Sequence, residues 1–162
     1  MGKQEADSVY RTASFAAWKV SNRASDARRY AKQADKLRDQ LIAAHAGADV
    51  LIAADEVIAR VHAAARDAMA VWEKARALLE KSVPDAIEEV DGMYILRAPR
   101  NTPANAPTVA DIRYNDASQA MVRGRAALDE LIALASVASV TSEELPIRKP
   151  HQPSGDGGGR AD

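Results

Sequence analysis

The sequence contains no cysteine and few aromatic residues. Aromatic side chains make up only 4% of the 162 residues, with two tryptophans and a single phenylalanine. Without cysteine, the chain can form neither disulfides nor zinc–thiolate sites, and thiol chemistry is excluded. Apolar residues nevertheless make up 47%. That proportion, in a chain of this length, predicts one domain with a sizeable core.

Long apolar runs are also missing. His45, Asp49 and Asp55 interrupt the best candidate for a stretch of about twenty apolar residues, the length that a membrane-spanning helix needs. The first residues, Met1 to Glu5, lack the apolar segment of a secretory signal. We therefore expect no membrane partner and a cytoplasmic location, or a place in the virion if the protein is encoded by a phage.

Motifs that carry bond chemistry are absent as well. The sequence has no glycine-rich phosphate loop, no nucleophile elbow and no Glu-x-x-His pair of the kind that builds a metal site in helical bundles. His62 shares one edge of a predicted helix with Asp55 and Arg66, but Asp55 is about 10.5 Å away along that helix. We predict that His62 is a surface or boundary residue, and we expect no catalytic, cofactor or metal site: the protein is not an enzyme.

Alanine is what the sequence has in abundance, with 35 residues. Alanine has the highest helix propensity, which favours an all-α fold. Near the start of the chain, small residues recur at alternating spacings of four and three, interrupted only by Arg38. This spacing places them on one side of a long helix, where a second helix can approach closely. We call this set the alanine stripe; it comprises Ala13, Ala17, Val20, Ala24, Ala27, Ala31, Ala34 and Leu41.

The order of the predicted elements is that of an elongated antiparallel bundle. Helix 1 runs from about residue 8 to 45, with Asp7 or Ser8 as its cap, and Gly47 ends it. Helix 2 runs from about 49 to 82, and the short connection forces the two into a hairpin. A loop over 83–107 holds a short acidic helix at 85–90 and a strand-like run at 93–97. Helix 3 covers about 108–140, which completes a helical domain over 1–145, and 146–162 is a flexible Pro/Gly-rich tail.

Apolar positions on helices 2 and 3 predict how these helices pack. Helix 2 has an apolar arc broad enough to contact two neighbours, so we predict that it is central. Helix 3 has a narrower set, in which Gly124 is either a point of close approach or a weak spot. On helix 2 the set is Val50, Leu51, Ala54, Val57, Ile58, Val61, Ala64, Ala65, Ala68, Val71, Trp72, Ala75, Leu78 and Leu79; on helix 3 it is Ala117, Ala120, Met121, Gly124, Leu128, Leu131, Ala135 and Ala138.

Two large aromatic side chains lie on the wrong side of helix 1 for the hairpin. Phe15 and Trp18 point away from the alanine stripe, to the outer face, together with Arg11, Arg29 and Lys36. Either helix 3 or the 93–107 segment folds over the aromatic pair and forms a second core, or the pair is a contact site for another chain. Tryptophan and arginine are enriched at the centres of protein interfaces. These five residues are the candidate partner-binding site.

Charge is balanced overall but unevenly distributed. The net charge is −1, which gives no global signal for nucleic-acid binding. Residues 1–45 carry nine basic and five acidic side chains, whereas residues 46–92 carry five basic and ten acidic ones, so adjacent helices can attract each other.

We expect a non-enzymatic structural or protein-binding subunit or adaptor of a bacterial or phage assembly, which binds a protein partner or associates with itself as a homo-oligomer. The alternative is a nucleic-acid-binding accessory protein that uses the basic outer face of helix 1.

Overall fold

Three long helices dominate the structure, a computed structural model that describes residues 2–83, 86–97 and 105–138. The prediction of an all-α bundle is confirmed, with the addition of a small two-stranded sheet. The predicted tail over 146–162 lies outside the described residues. The elements are α1 (Lys3–Ala43), α2 (Ala48–Ser82), β1 (Ile87–Val90), β2 (Met93–Leu96), α3 (Val109–Ile112) and α4 (Tyr114–Val137).

Helix α1 begins earlier and ends differently from the prediction. It starts at Lys3, where the Glu5 carboxylate accepts a hydrogen bond from the Gly2 amide at 3.2 Å, so neither Asp7 nor Ser8 caps it. At its end, His45 takes the left-handed conformation, with φ of 55°. Gly47 has a φ of −62° and precedes the first residue of α2, so it opens α2 rather than ending α1. The turn from one long helix into the next therefore depends on His45.

Pairs of contacting side chains establish the directions of the helices. Arg38 binds Asp55 and Asp35 binds His62, so residue numbers rise in α1 as they fall in α2 and the two helices are antiparallel. Helix α4 is parallel to α1, because the Arg23–Tyr114 and Tyr30–Met121 contacts both join residues 91 positions apart. Each long helix contacts the other two. The bundle is thus triangular in section: α2 contacts two neighbours, as its broad apolar arc predicted, and α1 and α4 also contact each other.

The predicted apolar sets form the core. Every residue of the alanine stripe is buried. The largest fully buried side chains are Trp72 and Leu79 of α2 and Leu41 of the stripe itself. Leu78 is the exception on α2, because it remains 38% exposed. On α4, Gly124 lies against α2, where an added Cβ would be 3.3 Å from the Ala64 Cβ. Gly124 is therefore a point of close approach.

The predicted acidic helix over 85–90 is wrong. Ile87–Val90 instead pairs antiparallel with Met93–Leu96, the segment that was predicted to be strand-like. Asp91 and Gly92 form the turn with φ of 53° and 77°, the left-handed pair that a tight hairpin turn requires. Residues 84–85 lie outside the described residues. The hairpin packs on the bundle through Tyr94, whose ring centroid is 4.8 Å from that of Trp72.

The third predicted helix is divided in two. Arg113 adopts the left-handed conformation, with φ of 58°, and separates the single turn of α3 from α4. At the start of α3, the Asp111 carboxylate accepts hydrogen bonds from the Thr108 amide and hydroxyl at 2.7 and 2.9 Å. Ile112 is buried against the bundle, and α3 contacts both α1 and α2. The break thus lets the chain close the end of the bundle before α4 begins.

Candidate protein-binding surface

The five predicted partner-binding residues lie on the outer face of α1, and all five are exposed. Phe15 is 58% exposed and Trp18 is 45% exposed. Neither helix α4 nor the hairpin buries them, and residues 98–104 of the predicted covering segment lie outside the described residues. Of the two alternatives, the described residues therefore favour an exposed contact surface over a second core. Removal of large apolar side chains from water is favourable, so a partner that covers this pair would gain binding free energy.

The two rings form an ordered pair. Their centroids are 5.7 Å apart and their planes differ by 22°, a stacked arrangement. The Lys19 ammonium lies 5.1 Å from the centroid of Phe15 and 4.4 Å from that of Tyr114, where both rings can attract it. Contacts of this kind restrict the rings before any partner arrives, which lowers the conformational entropy lost on binding.

The hairpin adds apolar area beside this pair. Strand β2 flanks α1 and forms an open cleft lined by Ser14, Phe15, Trp18, Tyr94, Ile95 and Leu96. Tyr94 and Leu96 turn toward the bundle, and the alternate residues of the sheet turn outward. The outward apolar residues are Val90, Met93 and Ile95, which are 38%, 67% and 45% exposed. We call Phe15, Trp18, Val90, Met93 and Ile95 together the aromatic surface.

The basic residues of the predicted site do not all belong to this surface. Arg11 lies about one turn before Phe15 and forms no ion pair among the described residues. Arg29 is about 16 Å from Trp18 along the helix, and it pairs with Asp26 at 3.0 Å. Lys36 is farther still, about 27 Å from Trp18. The structure therefore brings Arg11, Phe15 and Trp18 together and leaves Arg29 and Lys36 apart from them.

Ion pairs also join the long helices, about 30 Å along α1 from Trp18 in the case of Arg38. Arg38 donates to Asp55 at 2.6 Å, and Arg60 of α2 donates to Glu130 of α4 at 2.7 Å. The hydrogen bond from Arg38 lowers the pKa of the Asp55 carboxyl, and that from Arg60 lowers the pKa of Glu130. All four side chains are well exposed, so each pair contributes little to stability and mainly sets the register of the helices.

His62 lies at the boundary between α1 and α2, as predicted. Its Nε2 is 2.7 Å from the Asp35 carboxylate, across the helix pair, and its side chain is 38% exposed. Asp55 is instead held by Arg38. Within the ranges 2–83, 86–97 and 105–138, no group of three or more acidic or histidine side chains is placed to hold a metal ion.

The apolar face of the hairpin is the part of the surface that the sequence analysis missed. The Asp91–Gly92 dipeptide between two short runs is a strong hairpin signal, because both residues readily take positive φ. Given that turn, the alternation in Met93–Leu96 predicts that Met93 and Ile95 share one face. The position of that face beside Phe15 depends on the tertiary contact of Tyr94 with Trp72.

Two findings bear on the class of protein. Of the helices in the described part of the chain, none combines the length and apolar character that crossing a membrane requires. Comparison of the chain with protein-family models, with curated proteins and with solved structures gives no match.

Proposed function

We propose that the protein is a non-enzymatic structural or protein-binding subunit, or an adaptor, in a bacterial or phage assembly, and that it acts through helix-face contacts. The observation that carries this proposal is the stacked Phe15–Trp18 pair, half exposed on α1 beside the outward apolar residues of the hairpin. The assignment to a bacterial or phage source comes from the excess of alanine and of arginine over lysine.

The composition of the aromatic surface supports protein binding. Tryptophan gives a large contact area at low cost in side-chain entropy, and interface centres are enriched in it. Arginine, the residue type of Arg11 beside Phe15, is also enriched at interface centres. Ile95 and Met93 extend the apolar contact toward the hairpin. Together these side chains offer an apolar centre with a basic edge, which suits a protein partner of complementary shape.

Nucleic-acid binding on the basic outer face of α1 remains the alternative. Several of the basic groups near that face already have contacts within the chain. Arg29 pairs with Asp26, Arg23 donates to the Tyr114 hydroxyl, and Lys19 lies over the Tyr114 ring. A nucleic-acid site needs several cations free to bind phosphates. A gel-shift titration with duplex and single-stranded DNA at low and moderate salt tests the alternative, because phosphate contacts make binding strongly salt-dependent.

Site-specific photo-crosslinking tests the protein-binding proposal. A photoreactive phenylalanine analogue replaces Phe15 in one variant and Val122 of α4 in a matched control. Val122 is 58% exposed, the same fraction as Phe15. Both proteins are irradiated in lysate from the source cells, and the crosslinked products are identified by mass spectrometry, with and without the additional change Trp18→Ala.

The proposal predicts a defined product from position 15 that position 122 does not give and that Trp18→Ala removes. The variant Trp18→Ala must remain folded under the crosslinking conditions, so that loss of the product reports binding rather than folding. Equal products from positions 15 and 122, or a product from position 15 that is unaffected by Trp18→Ala, would show that this surface is not the binding site.

A further inference from the structure

A groove between α1 and α2 lies on the side of the bundle that α4 does not cover. Its floor is apolar, formed by Ala31, Ala65 and Met69, and its walls are mostly basic. We call it the basic groove. The polar residues that line it are Arg28, Lys32, Asp35, His62 and Arg66.

The basic groove holds an excess of positive charge. Seven arginines elsewhere in the structure form ion pairs with carboxylates: Arg38, Arg60, Arg76, Arg97, Arg113, Arg123 and Arg125. By contrast, Arg28, Lys32 and Arg66 form no ion pair among the described residues. The carboxylate in this groove, Asp35, is 2.7 Å from the His62 ring instead. Three cations around an apolar floor favour an acidic, partly apolar occupant.

The hairpin of the same chain shows how such an occupant would bind. It packs over the same pair of helices, with Tyr94 on Trp72 and its cleft along Ser14 and Trp18. Along each helix, residues spaced alternately by four and three run from the hairpin's packing position to the basic groove, so both sites lie on one side of the bundle. On α1 the positions are 14, 18, 21, 25, 28, 32 and 35, and on α2 they are 76, 72, 69, 65 and 62.

The hairpin has the chemistry that the basic groove lacks. Asp91, in the turn, is exposed and forms no ion pair with described residues. Glu88, on the outward face, pairs with Arg97, whereas Glu89 lies opposite Tyr94 in the sheet and shares its inward face. The segment 87–97 thus carries three carboxylates against one arginine. Val90 and Met93 add exposed apolar side chains on either side of the turn. One short segment thus offers negative charge for Arg28, Lys32 and Arg66 together with apolar contacts for Ala31, Ala65 and Met69.

We propose that the hairpin of a second copy of this chain occupies the basic groove, in a twofold-symmetric dimer. A twofold interface must be self-complementary, so one surface must carry both partners of each contact. Here the acidic hairpin and the basic groove lie on one side of the bundle, displaced along its axis. A twofold axis perpendicular to the bundle brings each hairpin opposite the other copy's groove. This inference rests on the proposed protein-binding function and names a second copy as the partner.

Light scattering with charge reversals tests the dimer. The full chain at tens of micromolar should have twice its 17.4 kDa mass at low salt and shift toward monomer as salt rises. Either Lys32→Glu or Asp91→Lys should weaken dimerisation by about tenfold or more, because like charges then face each other. The double variant, with both changes, should recover dimerisation. Lys74→Glu is the control: it reverses an exposed charge on α2 away from the groove and should leave the dimer intact.

Several results would overturn the dimer. These are a monomeric parent, a single reversal without effect, a double variant that stays monomeric, or a mass that grows beyond two chains, as in an open assembly. A monomeric parent would leave the proposed function standing, because the crosslink from position 15 reports any protein partner. Conversely, a dimer by light scattering without a crosslink from position 15 would support the groove contact and contradict binding at the aromatic surface.

Discussion

Gly124 of α4 packs directly against Ala64 of α2: a Cβ at position 124 would lie 3.3 Å from the Ala64 Cβ. Gly124→Ala should change the free energy of unfolding by less than about 1 kcal/mol, because the gain in helix propensity offsets the tight contact. Gly124→Leu should destabilise by about 1–3 kcal/mol, since neither backbone can yield enough. Urea denaturation measures both. Ala133→Leu, exposed on the same helix, is the control, and equal stability of the two leucine variants would refute the close approach.

The alanine stripe of α1 should be just as intolerant of bulk. Ala24 and Ala27 are 1% and 0% exposed, and each faces the other helices. Ala24→Leu or Ala27→Leu should therefore lower stability by about 1–3 kcal/mol through overpacking. Ala70→Leu, at an exposed position of α2, should be close to neutral. Thermal melting of the three variants checks this, and melting of both stripe variants at or above the parent temperature would contradict it.

The two tryptophans should respond differently to truncation. Trp72 is 1% exposed and lies against Tyr94, whereas Trp18 is 45% exposed. Trp72→Ala should cost about 3–5 kcal/mol, as expected for a large ring removed from a core. Trp18→Ala should cost much less, about 1 kcal/mol, because nearly half of the residue's surface stays in water in the folded chain. Chemical denaturation followed by circular dichroism measures both, and a large loss of stability for Trp18→Ala would mean that the ring is part of the core.

Arg113 should be under backbone strain. It has a φ of 58°, a region that costs an ordinary residue about 1 kcal/mol relative to glycine. Its guanidinium also binds Asp116 at 2.7 Å, so Arg113→Ala serves as the control that removes the ion pair but keeps the strain. Arg113→Gly should be more stable than Arg113→Ala by about 1 kcal/mol. If the alanine variant is the more stable one, the α3–α4 junction does not have this conformation.

Stability should fall at acidic pH. Hydrogen bonds from Arg38 and Arg60 hold the pKa values of Asp55 and Glu130 below their ordinary values of 3.8 and 4.5. As pH falls, the two carboxylates therefore take up protons in the unfolded chain before they do so in the folded chain, which favours unfolding. The stabilisation is complete at pH values above the ordinary pKa values, and it is lost as pH falls through the lowered pKa values of the folded chain. Melting temperatures from neutral to acidic pH measure this. Asp55→Asn together with Glu130→Gln should flatten the decline, and an unchanged decline would show that these pairs do not cause it.

The sequence by itself determined the helices and their buried sides. Spacings of three and four are local, and they predicted the alanine stripe, the apolar set of α4 and the short turn between α1 and α2. They also placed Phe15 and Trp18 opposite the stripe, because the direction of a side chain follows from its position in the helix. Whether another element covers an outward side chain is not a local property, so periodicity left open whether these two rings are buried or free.

Only the tertiary structure decided the rest. Glu88 and Glu89 after Pro84 read as the start of a helix, but their segment pairs with Met93–Leu96 and is anchored by Tyr94 on Trp72. Arg113 carries no local signal for its left-handed conformation, which follows from packing α3 and α4 against the same two helices. The basic groove likewise joins residues of α1 and α2 that are about thirty to forty positions apart in sequence. Contacts between distant segments depend on how the helices pack, and the pattern within any one helix does not contain that information.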